Sequence, residues 1–173
     1  MLAIDLGLSV KWADRNLGAN FPTDIGELYA WAEILSKNKY TWGNYKYWVC
    51  SGKFGPFLEN HFSKEIHSID SEDDAITNRY GKPWRIPTAA EFQELINKCR
   101  WVKTSECGIH GFRIYGYNGN SIFLPTEGVE HYWSATRMEK PQHAKVLDIH
   151  YSKVQLFYRA RYYGFNLRGV CDK

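Results

Sequence analysis

The sequence predicts an α+β domain of short, mostly antiparallel strands with two helices. Three observations lead there. Short apolar or aromatic runs recur every eight to twelve residues, separated by Gly, Asn, Pro and Ser. Sustained helical periodicity follows only Thr88. Aromatics make up 16% of the chain, and such residues favour strands and binding surfaces alike. At 173 residues the chain reads as one domain, 1–173, large enough to hold a core without a metal or disulfide staple.

The elements follow in order. Residues 8–13 and 28–32 read as strands from their apolar content. Residues 36–70 are rich in Lys, Tyr, Trp and Gly without a period, and read as a long excursion pinned by aromatics. A short helix is expected at about 73–80, stopped by Gly81 and Pro83, with Asp73 and Asp74 suited to its positive end. A second helix is expected at about 88–100. Thr88 and Glu91 stand at capping-box spacing, and Phe92, Leu95, Ile96 and Cys99 form one buried stripe. Residues 111–115 and 121–124 read as strands joined through Asn118-Gly119, a turn pair that accepts positive φ. Further strands are expected at 132–136, 145–150, 153–157 and 165–170.

Charge is unevenly spread. The whole chain carries 22 Lys and Arg against 19 Asp and Glu. From Arg137 onward there are eight Lys or Arg against three acids, a net of +5. That is too mild for a dedicated nucleic-acid arm, so no nucleic-acid partner is expected. No apolar run approaches the ~18 residues of a membrane span. The first residues lack the basic start and apolar stretch of a signal peptide. The expected location is therefore the cell surface or outside the cell if the chain is a mature or excised domain, and the cytoplasm otherwise.

Motifs for common chemistries are missing. There is no nucleophile elbow, phosphate loop or dinucleotide fingerprint. The six histidines do not pair at helical ligand spacing, and His61 and His67 read as exposed loop residues. Cys50, Cys99, Cys107 and Cys171 form no Cys-x-x-Cys pair and read mainly as free thiols, with Cys99 a small core residue. Asp70, Glu72, Asp73 and Asp74 could serve a hard cation, but a helix cap with a solvated face accounts for them more simply. Arg85 is a candidate clamp on one of these acids. No cofactor and no metal are expected.

The informative segment is Gln155-Leu156-Phe157-Tyr158-Arg159-Ala160-Arg161-Tyr162-Tyr163-Gly164. Tyr and Arg offer contact area with few rotors and a polar tip, which suits recognition. The competing reading is a strand with one aromatic face in the core. Strict alternation would favour that reading, but Leu156, Phe157 and Tyr158 are consecutive, as are Tyr162 and Tyr163. Some of these aromatics are therefore expected to face solvent or a partner.

Several blocks together resemble a known family. They are Asp5-Leu6-Gly7-Leu8-Ser9-Val10-Lys11-Trp12-Ala13, Asn16-Leu17-Gly18-Ala19, Tyr29-Ala30-Trp31-Ala32-Glu33 and Glu72-Asp73-Asp74-Ala75. They continue with Trp84-Arg85-Ile86-Pro87-Thr88-Ala89-Ala90-Glu91-Phe92 and Gly119-Asn120-Ser121-Ile122-Phe123-Leu124-Pro125. The last are Tyr132-Trp133-Ser134-Ala135-Thr136 and Gly164-Phe165-Asn166-Leu167-Arg168-Gly169-Val170. In this order they resemble a large paralogous domain family of Bacteroidetes and Fibrobacter. That family is similar to the formylglycine-generating-enzyme branch of the C-type-lectin-like fold. The resemblance implies twisted antiparallel sheets, two helices and long loops, in secreted or surface-anchored proteins.

One subset of that family comprises the variable proteins of diversity-generating retroelements. In these, a reverse transcriptase rewrites adenine-rich codons near the C-terminus, and the fold presents the rewritten residues on a ligand-binding face. By resemblance the variable segment is about 135–170. Its rewritten positions would be Gln155, Phe157, Tyr158, Arg159, Ala160, Tyr162 and Tyr163, where related sequences are rich in Asn. Packing would then fall to Val146, Leu147, Ile149, Val154 and Leu167. The chain departs from the enzymes of the branch, which use a C-terminal cysteine pair with copper; here only Cys171 lies near the C-terminus, so that activity is not carried over. It also lacks the carboxylate and amide ligands of calcium-dependent lectins at Trp133-Ser134-Ala135.

The resulting expectation is a non-enzymatic recognition module for a protein or glycan ligand. The alternatives are a carbohydrate-binding or structural module of a bacterial surface protein, and a formylglycine-generating-enzyme-like cysteine enzyme.

Overall fold

The computed structural model describes residues 1–50, 60–62 and 66–173, with backbone alone for 49, 50 and 60–62. Among the described residues the protein is a mostly antiparallel β-structure with two α-helices. The expected 36–70 excursion lies partly outside the described residues, as do the side chains of Cys50 and His61.

The first sheet joins the two ends of the chain. β1 (Ala3–Ile4) pairs with β2 (Lys11–Asn16). β3 (Trp48–Cys50) and β4 (Asn60–Phe62) form a separate ribbon. Next come α1 (Ala75–Tyr80), β5 (Trp84–Arg85) and α2 (Ala89–Lys98). β6 (Arg100–Glu106), β7 (Ile109–Tyr115) and β8 (Ser121–Pro125) make a three-stranded meander. β9 (Val129–Arg137), β10 (His143–His150) and β11 (Lys153–Ala160) make a second one, with β10 central and β11 at an edge. β12 (Arg168–Cys171) returns to lie between β2 and β5.

Local chemistry explains both helices. Asp74 accepts from the Ile76 and Thr77 amides at 2.9 Å each, capping α1, and its second oxygen accepts from Ile86 N at 2.8 Å. Gly81, at φ 73°, closes the helix in the left-handed region that glycine tolerates. In α2 the Thr88 hydroxyl accepts from Glu91 N at 3.2 Å, and the Glu91 carboxylate accepts from Thr88 N at 2.7 Å. Phe92 and Leu95 are fully buried. Cys99 ends the helix with extended backbone, one residue earlier than the spacing predicts, yet its thiol packs against the same cluster. Burial pushes that thiol up to about 11.

Arg85 does not clamp the acidic cluster. Its guanidinium forks onto Glu91 at 2.7 and 2.9 Å and also reaches Asp172 at 3.0 Å. Burial would raise the Glu91 carboxyl, but the fork and the Thr88 amide outweigh it and hold it below its ordinary range. The run at 28–32 is buried but is not a strand. Only Tyr29 bridges to Phe165, and Ala32 turns the chain at φ 60°. The strand β6 was not foreseen, because it follows α2 without turn residues.

The C-terminal meander separates two apolar clusters. Tyr132, Leu147, Ile149, Val154 and Leu156 meet α2 on one face. Trp133 and Val146 meet Trp31, Tyr45 and Leu167 on the other. Beneath the N-terminal sheet Arg168 is fully buried. It donates to Asn16 Oδ1 at 2.8 Å, Ala13 O at 3.0 Å and Phe123 O at 2.8 Å. One guanidinium thereby ties β12 to β2 and β8, its donors satisfied by two carbonyls and an amide oxygen.

Candidate functional site

The segment singled out in the sequence folds as β11 and the loop that follows. Register with β10 sets which way each side chain points. Leu156 lies across from Leu147 and Val154 across from Ile149, on the face covered by α2. Gln155, Phe157 and Arg159 lie across from Asp148, Val146 and Ala144, on the opposite face. Phe157 is exposed. Tyr158 has the parity of the α2 face yet is also exposed, lying beyond Leu156 at the end of the covered stretch. The consecutive aromatics therefore reach solvent from both faces of one edge strand.

Asp148 organises the margin of this face, beside β11. This carboxylate is 4% exposed. It accepts from Gln155 Nε2 at 3.0 Å and from Arg159 Nη2 at 3.2 Å, and lies 2.9 Å from His131 Nε2. The Arg159 guanidinium sits 4.7 Å from the Phe157 ring centre, and Phe157 stacks on Tyr158 at 4.7 Å. A buried acid thus fixes a row of polar and aromatic groups at the surface. Burial lowers the affinity of His131 for a proton, the Arg159 charge adds to this, and Asp148 opposes it without prevailing.

From His131 a run of stacked rings leads away. His131 stacks on Phe165 at 4.5 Å, Phe165 on Tyr163 at 5.6 Å, and Tyr163 on Tyr162 at 4.3 Å. Tyr162 continues to Trp42 at 4.8 Å. Tyr163 is exposed, while Tyr162 is half-buried against the core. Ala160 is half-buried opposite His143. Arg161 turns inward. It is 1% exposed, lies over Trp31 at 4.3 Å, and donates to Tyr45 Oη and Pro141 O at 3.0 Å each.

The structure therefore brings Gln155, Phe157 and Arg159 together on one face of β11 around Asp148, joins Tyr158 to them through its stack on Phe157, links Tyr163 through Phe165 and His131, and leaves Ala160 and Tyr162 half-buried at the margin. Reading the sequence missed His131, Asp148 and Phe165, which support that surface. Asp148 did leave a signal: it is the one charged residue within Val146-Leu147-Asp148-Ile149, and a carboxylate in an apolar strand needs partners.

Elsewhere, a cavity of about 480 Å³ lies between α1 and β5 and is lined in part by Asp70, Lys82, Trp84 and Asp172. Cys99, Cys107 and Cys171 are free thiols. No group of three or more metal-ligating side chains occurs among the described residues. Among those residues, too, no helix is long and apolar enough to cross a membrane. Comparison of the chain with protein-family models, curated proteins and solved structures returned no match.

Proposed function

We propose that this protein is a non-enzymatic recognition module whose ligand-binding face is the exposed surface of β11 and the following loop. One observation carries the reading: labour is divided within a single strand. Val154 and Leu156 pack half-buried against the core, while Phe157 and Tyr158 stand exposed and the half-buried Gln155 and Arg159 flank them. Stability alone gives no reason to place Phe157, Tyr158 and Tyr163 there. Exposed aromatics beside a guanidinium are what recognition surfaces use.

The finer reading is a C-type-lectin-like domain of the Bacteroidetes and Fibrobacter paralogous family, acting as the variable protein of a diversity-generating retroelement. Antiparallel meanders with two helices support it. So does the position of the exposed residues in the segment that the resemblance marks as variable. In that setting the protein would be displayed at the cell surface or secreted, and its ligand would be a protein or a glycan.

The test is in the DNA beside the coding region. The reading expects a near-copy of the segment encoding residues ~135–170, differing at adenines, next to a reverse-transcriptase gene. Its absence from the complete genome would remove the retroelement and leave a paralogue with a fixed face. A glycan array on the intact domain then separates sugar binding on the exposed rings from protein recognition.

A further inference from the structure

We infer that the free edge of β11 is a docking site for an extended, acidic polypeptide strand, which pairs with it and lengthens the C-terminal sheet. The inference rests on the recognition reading above and names a partner for the same surface.

The backbone argument comes first. β11 pairs with β10 alone among the described residues, whereas the far side of β9 is covered, with Trp133 N donating to Asn166 O and Ala135 N to Pro87 O. Arg161 N donates to Gln142 O at 2.9 Å, continuing the β10–β11 register beyond the strand. Antiparallel strands alternate between residues bonded to the partner and residues whose amides point away. Counting back in twos from Arg161, residues 159, 157, 155 and 153 bond to β10. The amides of Val154, Leu156, Tyr158 and Ala160 therefore point off the sheet. Two contacts agree with this alternation: Arg159 Nη1 donates to Tyr158 O at 3.1 Å, and Tyr163 N donates to Ala160 O at 3.2 Å. Among the described residues, the carbonyls of Val154 and Leu156 and the amides of Val154, Leu156 and Tyr158 remain as a row open to a further strand.

Charge then selects the occupant. The charged residues of β11 are Lys153 and Arg159, both cations, one near each end. From Arg137 to Tyr163, leaving out the buried Arg161, there are five Lys or Arg and two acids, and Asp148, one of those acids, is already engaged by Gln155 and Arg159. The other long open edge, β6, mixes Arg100 and Lys103 with Glu106. A second copy of this chain is disfavoured. Antiparallel pairing centred on Leu156 would set Lys153 of one copy against Arg159 of the other, and like charges directly opposite destabilise a sheet. Edge cations protect natural sheets from self-pairing in this way. They do not repel a strand carrying Asp or Glu at alternate positions, for which main-chain bonds supply affinity and Phe157 and Tyr158 supply side-chain contacts.

The probe is a displayed library of random twelve-residue peptides, selected on the intact protein. The expected outcome is enrichment of peptides with acids at alternate positions, whose binding slows hydrogen exchange at the amides of Val154, Leu156 and Tyr158. Tyr158→Ala and Tyr158→Pro both remove the ring, but only proline removes the outward amide, and an edge strand tolerates proline at such a position. Tyr158→Pro should bind the selected peptides about tenfold more weakly than Tyr158→Ala. Should the proline variant fail to fold, N-methylation of alternate peptide amides replaces it: one parity abolishes binding and the other spares it.

Peptides that lose binding in Phe157→Ala and Arg159→Ala but leave the edge amides unprotected would overturn strand docking and keep the recognition face. No enriched peptide, together with a glycan array on which both variants match the parent, would overturn both. Concentration-dependent dimers abolished by Tyr158→Pro would put a second copy at the edge and overturn the acidic strand.

Discussion

Arg159 reaches across from β11 to donate to Asp148 on β10 at 3.2 Å, joining a partly exposed guanidinium to a buried carboxylate. The two partners carry unequal weight. Asp148 is enclosed and also accepts from Gln155, so its removal leaves Gln155 and Arg159 without their acceptor. Arg159 is partly in water and can be solvated when its partner goes.

The first prediction follows from that asymmetry. Asp148→Ala should destabilise the protein by about 2 kcal/mol, through the part-buried Gln155 and Arg159 donors left unpaired and the enclosed site emptied. Arg159→Ala should cost less, about 1 kcal/mol, because the Asp148 carboxylate keeps the Gln155 amide as a donor, with His131 beside it. Urea unfolding of both variants measures the difference. Equal costs would show that Arg159 serves the fold more than the surface.

A second prediction separates the surface aromatics from the supporting ones. Replacing Phe157, Tyr158 and Tyr163 together by Ala should move the melting temperature by no more than a few degrees, since all three are exposed. Adding Tyr162→Ala should lower it further, because Tyr162 packs on Trp42 and the core beneath it. Thermal unfolding followed by near-ultraviolet circular dichroism reports both steps.

The buried guanidinium gives the third prediction. Arg168→Ala should cost about 3–5 kcal/mol, because the Asn16 oxygen and the Ala13 and Phe123 carbonyls lose their donor inside the protein. Burial lowers the Arg168 guanidinium to about 10, so it stays charged at neutral pH. Arg168→Lys should recover only part of the loss, since one ammonium cannot reproduce the planar fork. Soluble expression and chemical unfolding distinguish the two variants.

Acid–base behaviour supplies the fourth prediction. Burial raises the Glu130 carboxyl to about 7, against 4.5 for an unburied Glu. The folded state thus holds a proton that the unfolded state releases between pH 7 and 4.5, and Glu130 costs stability above that window. Glu130→Gln should therefore stabilise the protein by up to about 3 kcal/mol at pH 8, with the gain shrinking toward pH 5. His131 works the other way. Its folded value lies below 6.5, so its contribution falls as the pH drops through 6.5. Comparing Glu130→Gln with the parent at each pH isolates the Glu130 effect; a gain that does not change with pH would contradict the assignment.

Much of the fold was legible where local chemistry decides it. The capping box at Thr88 and Glu91 located α2, and Asn118-Gly119 located the β7–β8 connection, where Gly119 adopts φ 84°. The run at 28–32 was misread because an apolar segment can be buried without pairing along its length. There Trp31 Nε1 donates to Ser134 O and the Trp31 amide to Arg161 O, so long-range contacts replace a ladder. Exposure of Phe157, Tyr158 and Tyr163 was legible because the pattern of the segment broke alternation. Its support was not, since the contacts of Asp148 with His131 and Gln155 arise only once three strands are in register.

The most direct measurement is a saturation scan of residues 153–165, read by protease resistance of the displayed protein and needing no ligand. The account predicts that Gln155, Phe157, Tyr158, Arg159 and Tyr163 accept most substitutions, while Leu156 and Arg161 accept few. If those five positions prove as intolerant as Leu156 and Arg161, the surface belongs to the fold and the recognition reading fails.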